Sequence, residues 1–305
     1  MKRGFALLAA TAALLTGCGV RQSTTTAAAM PRMPETYVFT REAFPRLDGS
    51  AAAVPMAQAA ASVLLGEDRE AVTDLVQFHK TERAYWELLE GSAQVLLAAD
   101  PGIRILAEKG DNNWETAPFA MDALAFFVNE SNGVDSLTIE ELRGIYAGEI
   151  TNWSQVGGAD LDIAAFQRSE GSGSQTAMET LVMGDTPMMA PPAGGVHGEM
   201  GDLIRAAASY ENSAGAIGYG SWYALSVMGL GEGVKILSVN GAAPDRDSIR
   251  TGQYPACFPY YAVISAETPE EDPARIFFDW IQGPEGQKLA EQEGYVSAEE
   301  MGGAL

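Results

Sequence analysis

Residues 166–176 combine the side chains and the backbone freedom that a binding site for an oxyanion needs. The segment lies between an alternating stretch, residues 161–166, that predicts a strand and an apolar pattern, residues 177–183, that predicts a helix. Its glycines let the backbone approach a ligand closely, and its serines supply hydroxyl groups. Arg168 adds a planar guanidinium, and the first turn of the helix leaves N–H groups without partners. The pattern therefore predicts a binding site for a negatively charged oxyanion.

Two other predicted helices begin at hydroxyl residues. Ser50 follows an Asp-Gly pair and precedes an apolar helix at residues 54–65. Thr81 opens a second helix, which Gly91 ends. Hydroxyl residues are typical of helix N-caps, and a ligand-binding hydroxyl at the same position would look identical in sequence. The pattern alone leaves both alternatives open.

Strands and helices alternate along the rest of the chain, beginning near Thr36. This rhythm predicts an α/β fold with parallel sheets. The predicted strands are residues 37–39, 72–78, 94–99, 103–108, 123–128, 161–166, 215–219 and 260–264. The predicted helices are residues 54–65, 81–91, 138–146, 177–183, 202–209, 273–282 and 286–292. Residues 123–128 are nearly all apolar, which is typical of a strand buried on both faces.

Composition indicates a globular and strongly acidic protein. The chain has 305 residues, of which 47% are apolar and 20% are charged, and this length suits two modest lobes. The formal charge of -22 argues against nucleic-acid binding, which requires a basic surface. His79 and His197 are the only histidines and lie far apart in sequence, so we expect no metal site and no cofactor.

The amino terminus has the pattern of a bacterial lipoprotein signal peptide. Within residues 1–17, two basic residues precede an apolar run, residues 4–15, that is too short to span a bilayer. The run ends in Leu-Thr-Gly-Cys, which resembles the lipobox, so we expect cleavage before Cys18 and diacylation of its sulfur. An ordinary signal peptide with an incidental cysteine is the alternative. Residues 18–35 would form a flexible tether, and Cys257 would remain as the one thiol, without an intrachain disulfide.

Five segments together resemble one family, and they are residues 45–50, 134–138, 142–153, 168–175 and 215–220. They resemble the phosphate-binding (PstS-like) substrate-binding proteins of bacterial ABC importers, in the type II periplasmic-binding-protein superfamily. The segments occur in the order of that family and extend over most of residues 36–296.

The resemblance implies a two-lobe α/β fold. Each lobe would be a mostly parallel sheet flanked by helices, and two hinge strands, near Pro118 and near Tyr219, would join the lobes. Lobe 1 would comprise residues 36–117 plus 220–305, and lobe 2 would comprise residues 118–219. Closure of such lobes is a hinge motion that encloses the ligand.

The resemblance also implies which residues bind the ligand, because phosphate in this family lies among helix N-termini from both lobes. The matching positions are Ser50, Ala51, Thr81, Arg168, Glu170, Ser172, Gly173 and Ser174, with Asp100 as a further candidate. Each of these positions also has an alternative interpretation. Arg168 could be a surface arginine, the hydroxyl residues could only cap helices, and Asp100 could belong to a common Asp-Pro-Gly turn.

Glu170 departs from the family pattern, which usually has aspartate at this position. A carboxylate facing the anion can accept the hydrogen that phosphate still carries at neutral pH, whereas sulfate carries none. A site built on that hydrogen bond would discriminate between the two anions by ~10⁴ to 10⁵. Alternatively, the longer glutamate side chain turns toward Arg168 as a structural pair, which leaves phosphate selectivity open.

The function implied by the resemblance is that of a lipid-anchored receptor on the extracytoplasmic face of the cell membrane. It would bind inorganic phosphate between its lobes and deliver it to the permease of an ABC importer, acting as a monomer and not as an enzyme. The same fold binding sulfate, molybdate, tungstate or an organic phosphate is one alternative. A sensor or adhesion lipoprotein that feeds no transporter is another. An esterase-like enzyme is a third, although residues 172–174 lack the Gly-x-Ser-x-Gly pattern of a nucleophile.

Overall fold

The structure is a computed structural model that describes residues 37–110, 112–209 and 213–298. Within these residues it is an α/β protein in which helices flank a β-sheet. The predicted signal peptide, the tether and Cys18 lie outside the described residues. None of the helices in the described ranges has the length and apolar character that crossing a membrane requires.

Short strands and helices alternate along the described residues. The strands are β1 (Leu47–Gly49), β2 (Val95–Ala98), β3 (Trp114–Asn129), β4 (Ser136–Leu137), β5 (Ala164–Ala165), β6 (Gln167–Arg168), β7 (Val196–His197), β8 (Ala216–Ser221), β9 (Val234–Ile236), β10 (Ser238–Val239), β11 (Cys257–Ser265) and β12 (Val296–Ser297). The α-helices are α1 (Val54–Leu65), α2 (Thr81–Leu89), α3 (Gly102–Glu108), α4 (Ile139–Ala147), α5 (Gly173–Ala177), α6 (Met200–Ala208), α7 (Arg246–Arg250), α8 (Pro273–Gln282) and α9 (Pro284–Gln292). Short 3-10 helices cover Ala51–Ala53, Thr73–Leu75, Trp153–Val156 and Ser213–Gly215, and π-helical turns cover Met178–Met183 and Tyr223–Val227.

Strand β3 joins two parts of one eight-stranded sheet. Its first part, up to Ala123, pairs with β11, and its last part, from Leu124, pairs with β8 and β9. We call β1, β2, β11, β12 and the first part of β3 the first sheet half. The last part of β3, with β5, β8 and β9, is the second sheet half. Strand β3 therefore passes without interruption from one half to the other.

The helix-flanked α/β architecture is confirmed, but the sheet is mixed and not mostly parallel. β1 pairs with β2 in parallel, and β5 pairs with β8 in parallel. β11, however, inserts between β2 and β3 and runs antiparallel to both, and β8 and β9 run antiparallel to β3. An alternation of strands and helices records the order of elements along the chain but not which strands become neighbours. The pattern therefore could not predict that β11, which comes late in the chain, lies between the earlier strands β2 and β3.

Three of the predicted strands are wrong. Residues 37–39 form no strand, and instead Tyr37 and Phe39 pack edge to face with ring centroids 4.8 Å apart. Residues 72–78 contain only a short 3-10 turn, and residues 103–108 belong to helix α3. All three are short segments with several apolar residues, and in so short a window periodicity does not distinguish a strand from a helix or a packed loop.

Local chemistry predicted several boundaries correctly. Gly66 ends α1 in the left-handed conformation, with φ of 66°. Thr138 and Glu141 form the predicted capping box at the start of α4. Residues 123–128 of β3 are fully buried, because strands or helices cover both faces of this segment.

Candidate functional site

A cavity of about 180 Å³ is lined by segments that follow strands of both sheet halves. It brings together most of the residues that the sequence singled out as candidates, namely Ser50, Ala51, Thr81, Arg168, Ser172, Gly173 and Ser174. The other lining residues are Ala52, Lys80, Glu199, Met200, Gly201, Ala224, Met228, Leu230 and Tyr260. The candidates thus line one cavity, although more than 80 residues separate Thr81 from Arg168 in the chain.

Arg168 contributes its guanidinium from the end of β6. The residue is 8% exposed, its backbone N–H donates to the Tyr219 hydroxyl at 3.2 Å, and its Nη2 donates to the Gly198 carbonyl at 3.1 Å. Its Nε and Nη1 are buried and have no hydrogen-bond partner among the described residues. Burial lowers the pKa of Arg168, because a charged group is disfavoured away from water. Unpaired donors on a buried cation are costly, so the guanidinium is suited to an acceptor that carries negative charge.

Tyr219 holds this arrangement in place from the second sheet half. It is fully buried on β8, and its hydroxyl donates to the Gln175 side chain while it accepts the Arg168 N–H. One tyrosine therefore ties the backbone of β6 to helix α5. From the sequence, Tyr219 is expected only to lie near a hinge strand, and the structure adds that its side chain positions two segments of the cavity wall.

The start of α5 adds backbone donors beside Arg168. Ser172 is the N-cap, and its Oγ accepts the Gln175 N–H at 3.2 Å, so helix capping occupies part of its hydroxyl. Gly173 and Ser174 are the first two residues of the helix and line the cavity. The N–H groups of a first helical turn have no intrahelical partner and favour a negative ligand.

A pair of hydroxyls from the first sheet half completes the polar wall. Ser50 Oγ accepts the Ala99 N–H at 3.0 Å and lies 2.8 Å from Thr81 Oγ1, and both side chains are buried. The two hydroxyls carry two protons and use one between them, which leaves one for a ligand. Ala51, which follows Ser50, starts the short 3-10 helix and lines the same wall.

Lys80 and Glu199 line the cavity although sequence reasoning did not select them. Lys80 Nζ lies 2.7 Å from Glu199 Oε1, so the ion pair links the start of α2 to the start of α6. Lys80 has φ of 74°, a left-handed conformation that costs of order 1–3 kcal/mol in a non-glycine residue. Lys80 could have been predicted to lie near the site because it directly precedes Thr81. No pattern in the sequence indicated that Glu199 lies next to Lys80.

Glu170 and Asp100 do not line the cavity. The Glu170 side chain is 82% exposed, and its Oε1 lies 3.4 Å from Arg104 Nη1 and not near Arg168. The turn at Gly171, which has φ of 77°, directs residue 170 outward before the chain enters α5. Asp100 is exposed and accepts a long 3.4 Å hydrogen bond from the Gly102 N–H, as in an ordinary turn. The acceptor role expected for Glu170 therefore has no geometric support.

Contacts between distant segments close the cavity. The Glu82 N–H, in α2, donates to the carbonyl of Gly171 at 3.1 Å, directly beside α5. The Lys80–Glu199 and Arg104–Glu170 ion pairs join the same two sides. These three contacts connect the segments on the two sides of the cavity.

A family model described as PBP superfamily domain matches residues 46–285, which is well over half of the chain. Among curated proteins, the chain is 30% identical over 183 residues to the phosphate-binding protein PstS of Borreliella burgdorferi, covering 58% of this chain and 64% of that protein. It is 25% identical over 260 residues to the phosphate-binding protein PstS of Bacillus subtilis, covering 84% of this chain and 81% of that protein. The alignment with the first of these relatives thus spans just under two thirds of its length.

Among solved structures, the chain is similar to a putative phosphate ABC transporter substrate-binding protein with bound phosphate from Clostridium perfringens. The TM-score is 0.65 with 22% identity, and the superposition covers 82% of this chain and 98% of that one. At this identity the likeness establishes the fold, which is the two-lobe α/β fold expected from the sequence.

Proposed function

This chain belongs to the PBP superfamily, and from that premise we propose that it captures inorganic phosphate in the cavity around Arg168 and delivers it to an ABC importer. The relatives named as phosphate-binding proteins support the choice of ligand, and the phosphate transport receptors among the structural neighbours support the choice of partner. Transport substrate-binding proteins are not an enzyme class.

The observation that carries the proposal is the pair of unpaired guanidinium donors on Arg168. Phosphate oxygens can accept these donors in charge-assisted hydrogen bonds, which are stronger than hydrogen bonds between neutral groups. The first-turn N–H groups of α5 and the spare hydroxyl proton of the Ser50 and Thr81 pair would hold the other oxygens. Every group in this set is a donor, as a tetrahedral anion requires.

A second ligand class, sulfate and other tetrahedral oxyanions, is favoured by one specific feature. Glu199 is the one acidic residue among the described residues that line the cavity, and Lys80 already pairs with it. Among the described residues that line the cavity, there is therefore no carboxylate without an ion-pair partner that could accept the hydrogen of phosphate. Titration calorimetry with phosphate and with sulfate between about pH 5 and about pH 9 separates the two ligands. Preference for sulfate would remove the phosphate assignment, and absence of binding by either anion would remove the oxyanion site.

We propose that residues 36–117 plus 220–305 form most of lobe 1 and residues 118–219 most of lobe 2, and that the lobes close on the ligand. Strand β9, although it lies in the range 220–305, would belong to lobe 2, because it pairs with the last part of β3. The change of pairing partner within β3 near Leu124 supports a boundary in this part of the chain. Small-angle scattering with and without phosphate tests the closure, because an open form has a larger radius of gyration than the closed form.

We further propose that Cys18 is the lipid attachment site and that the mature protein is a monomer anchored at the extracytoplasmic face of the cell membrane. The signal-peptide pattern of residues 1–17 supports this location. Fractionation of cells that produce the native chain or the Cys18→Ser variant is the test. Release of the variant from the membrane fraction supports the anchor, and retention of the variant contradicts it.

A further inference from the structure

The cavity has an apolar part that an inorganic anion does not need. We call it the apolar wall, and it is formed by Met200, Ala224, Met228, Leu230 and Tyr260. Four of these side chains carry no hydrogen-bond donor. The fifth, Tyr260, uses its hydroxyl in hydrogen bonds with Asp122 and Ser221. The wall therefore offers no free hydrogen-bond donor to an anion.

Several segments of the fold, and not a single side chain, form the apolar wall. Met200 packs against β8 at Gly220, where an added Cβ would lie within van der Waals overlap of the Met200 sulfur. Met228 and Leu230 follow the π-helical turn after β8 and remain 40% and 38% exposed beside the cavity. Large apolar side chains that stay accessible next to a binding site gain free energy when a ligand covers them.

The cavity is also larger than an inorganic phosphate ion requires. Its volume of about 180 Å³ is far larger than the ~10–15 Å³ that a cavity needs to hold one water molecule, and a phosphate ion has only five heavy atoms. The donors, which are Arg168, the start of α5 and the hydroxyl pair, account for one part of the lining, and the apolar wall accounts for another. An anionic head with a compact apolar substituent matches both parts.

We propose that the cavity binds a phosphate monoester or a phosphonate whose short alkyl or aryl substituent packs on the apolar wall while its anionic head contacts Arg168. This inference rests on the proposed function, because it uses the same oxyanion site. It widens the ligand class from inorganic phosphate to compact organic phosphates and phosphonates.

The test is titration calorimetry of the purified chain with inorganic phosphate and with methyl-, propyl- and phenylphosphonate, whose C–P bonds resist hydrolysis. Affinity should rise from methyl- to propylphosphonate by roughly fourfold for each methylene buried, which corresponds to ~0.8 kcal/mol. Met228→Ser and Leu230→Ser should each lower the ratio of propylphosphonate to phosphate affinity by at least about threefold. Val63→Ser, at a residue 60% exposed on α1, is the matched control and should leave that ratio unchanged.

Three results would contradict either this inference or the proposed function, and the titrations distinguish between them. Affinity that falls with each added methylene while inorganic phosphate binds would overturn the inference and leave the proposed function intact. A rise with chain length that neither Met228→Ser nor Leu230→Ser reduces would also overturn it, because the apolar wall would not hold the substituent. Absence of binding by every ligand, inorganic phosphate included, would overturn the proposed function itself.

Discussion

A methyl group added to Gly173 would place its carbon 2.8 Å from Oγ1 of Thr81. Thr81 is the first residue of α2 and Gly173 is the first residue of α5, so the two helix starts meet at this point. A glycine allows the approach because no side chain intervenes. The two helix starts can therefore contact the same ligand.

Gly173→Ala should weaken phosphate binding by at least about tenfold, because a contact shorter than van der Waals distance opposes the closed form. Titration calorimetry measures the affinity, and small-angle scattering with saturating phosphate measures the closure. Gly133→Ala is the matched control, since an added Cβ there meets nothing within 4 Å. Equal affinities for both variants would contradict the close packing of the two helix starts.

Glu170→Ala should leave phosphate affinity and its pH dependence unchanged within about twofold. The reason is that the Glu170 carboxylate is exposed to solvent beside Arg104, and exposed ion pairs contribute only ~0–1 kcal/mol. Calorimetric titrations of the variant at several pH values provide the measurement. A large loss of affinity, or loss of preference for phosphate over sulfate, would restore the direct role in binding that the sequence suggested for this residue.

Lys80→Met should lower phosphate affinity about threefold to tenfold at low salt, because it removes a cation from the cavity wall and leaves the Glu199 carboxylate unpaired there. The effect should shrink as salt increases, since Lys80 is partly exposed and its field is screened. Calorimetry at about 0.02 M and about 0.3 M salt gives both values. Lys288→Met, at an exposed position on α9, is the control. An effect that does not change with salt would contradict an electrostatic role.

Asp122 gives the folded protein a specific pH dependence of stability. It is fully buried where β3 passes between the sheet halves, and it accepts the N–H groups of Ala123 and Tyr223 at 2.8 and 3.0 Å. Burial raises the pKa of Asp122 to about 6, whereas an unfolded aspartate titrates near ~4. The folded state therefore binds more protons between these two values. The stabilisation is complete below about pH 4 and is lost as the pH rises through about 6.

The Asp122→Asn variant lacks this titration, so its stability should not follow the same course. With ~1.4 kcal/mol for each pKa unit, the advantage of the native chain over the variant in unfolding free energy should narrow by about 2 kcal/mol between pH 4 and pH 7. Urea unfolding at a series of pH values measures both chains. Parallel pH curves for the native chain and the variant would show that Asp122 titrates normally.

Local chemistry carried most of what the sequence predicted correctly. The capping box at Thr138, the left-handed glycine at position 66 and the serine N-cap of α5 depend on residues within a few positions of each other. The same holds for the oxyanion-binding segment, because its donors come from one strand end and the following helix start. Such features can be predicted from sequence because no distant partner decides them.

Features that depend on distant partners could not be predicted. The insertion of β11 between β2 and β3 is a choice of neighbours that no local pattern encodes. Glu199 reaches the cavity only because α6 begins beside Lys80, and the apolar wall takes residues from three separate segments. From the sequence, we expected the Glu170 side chain to face the ligand. Its actual direction depends on a local feature, the left-handed turn at Gly171.

The most direct measurement is the affinity of inorganic phosphate for the native chain and for the Arg168→Ala variant, by titration calorimetry near pH 7. We predict one-to-one binding that Arg168→Ala weakens at least about thirtyfold, since losing one partner of a buried charge pair costs about 2–5 kcal/mol. Arg250→Ala, at a surface arginine paired with Asp247, is the control and should bind like the native chain. Phosphate affinity that is the same with and without the Arg168 guanidinium would contradict the assignment of this cavity as the phosphate site.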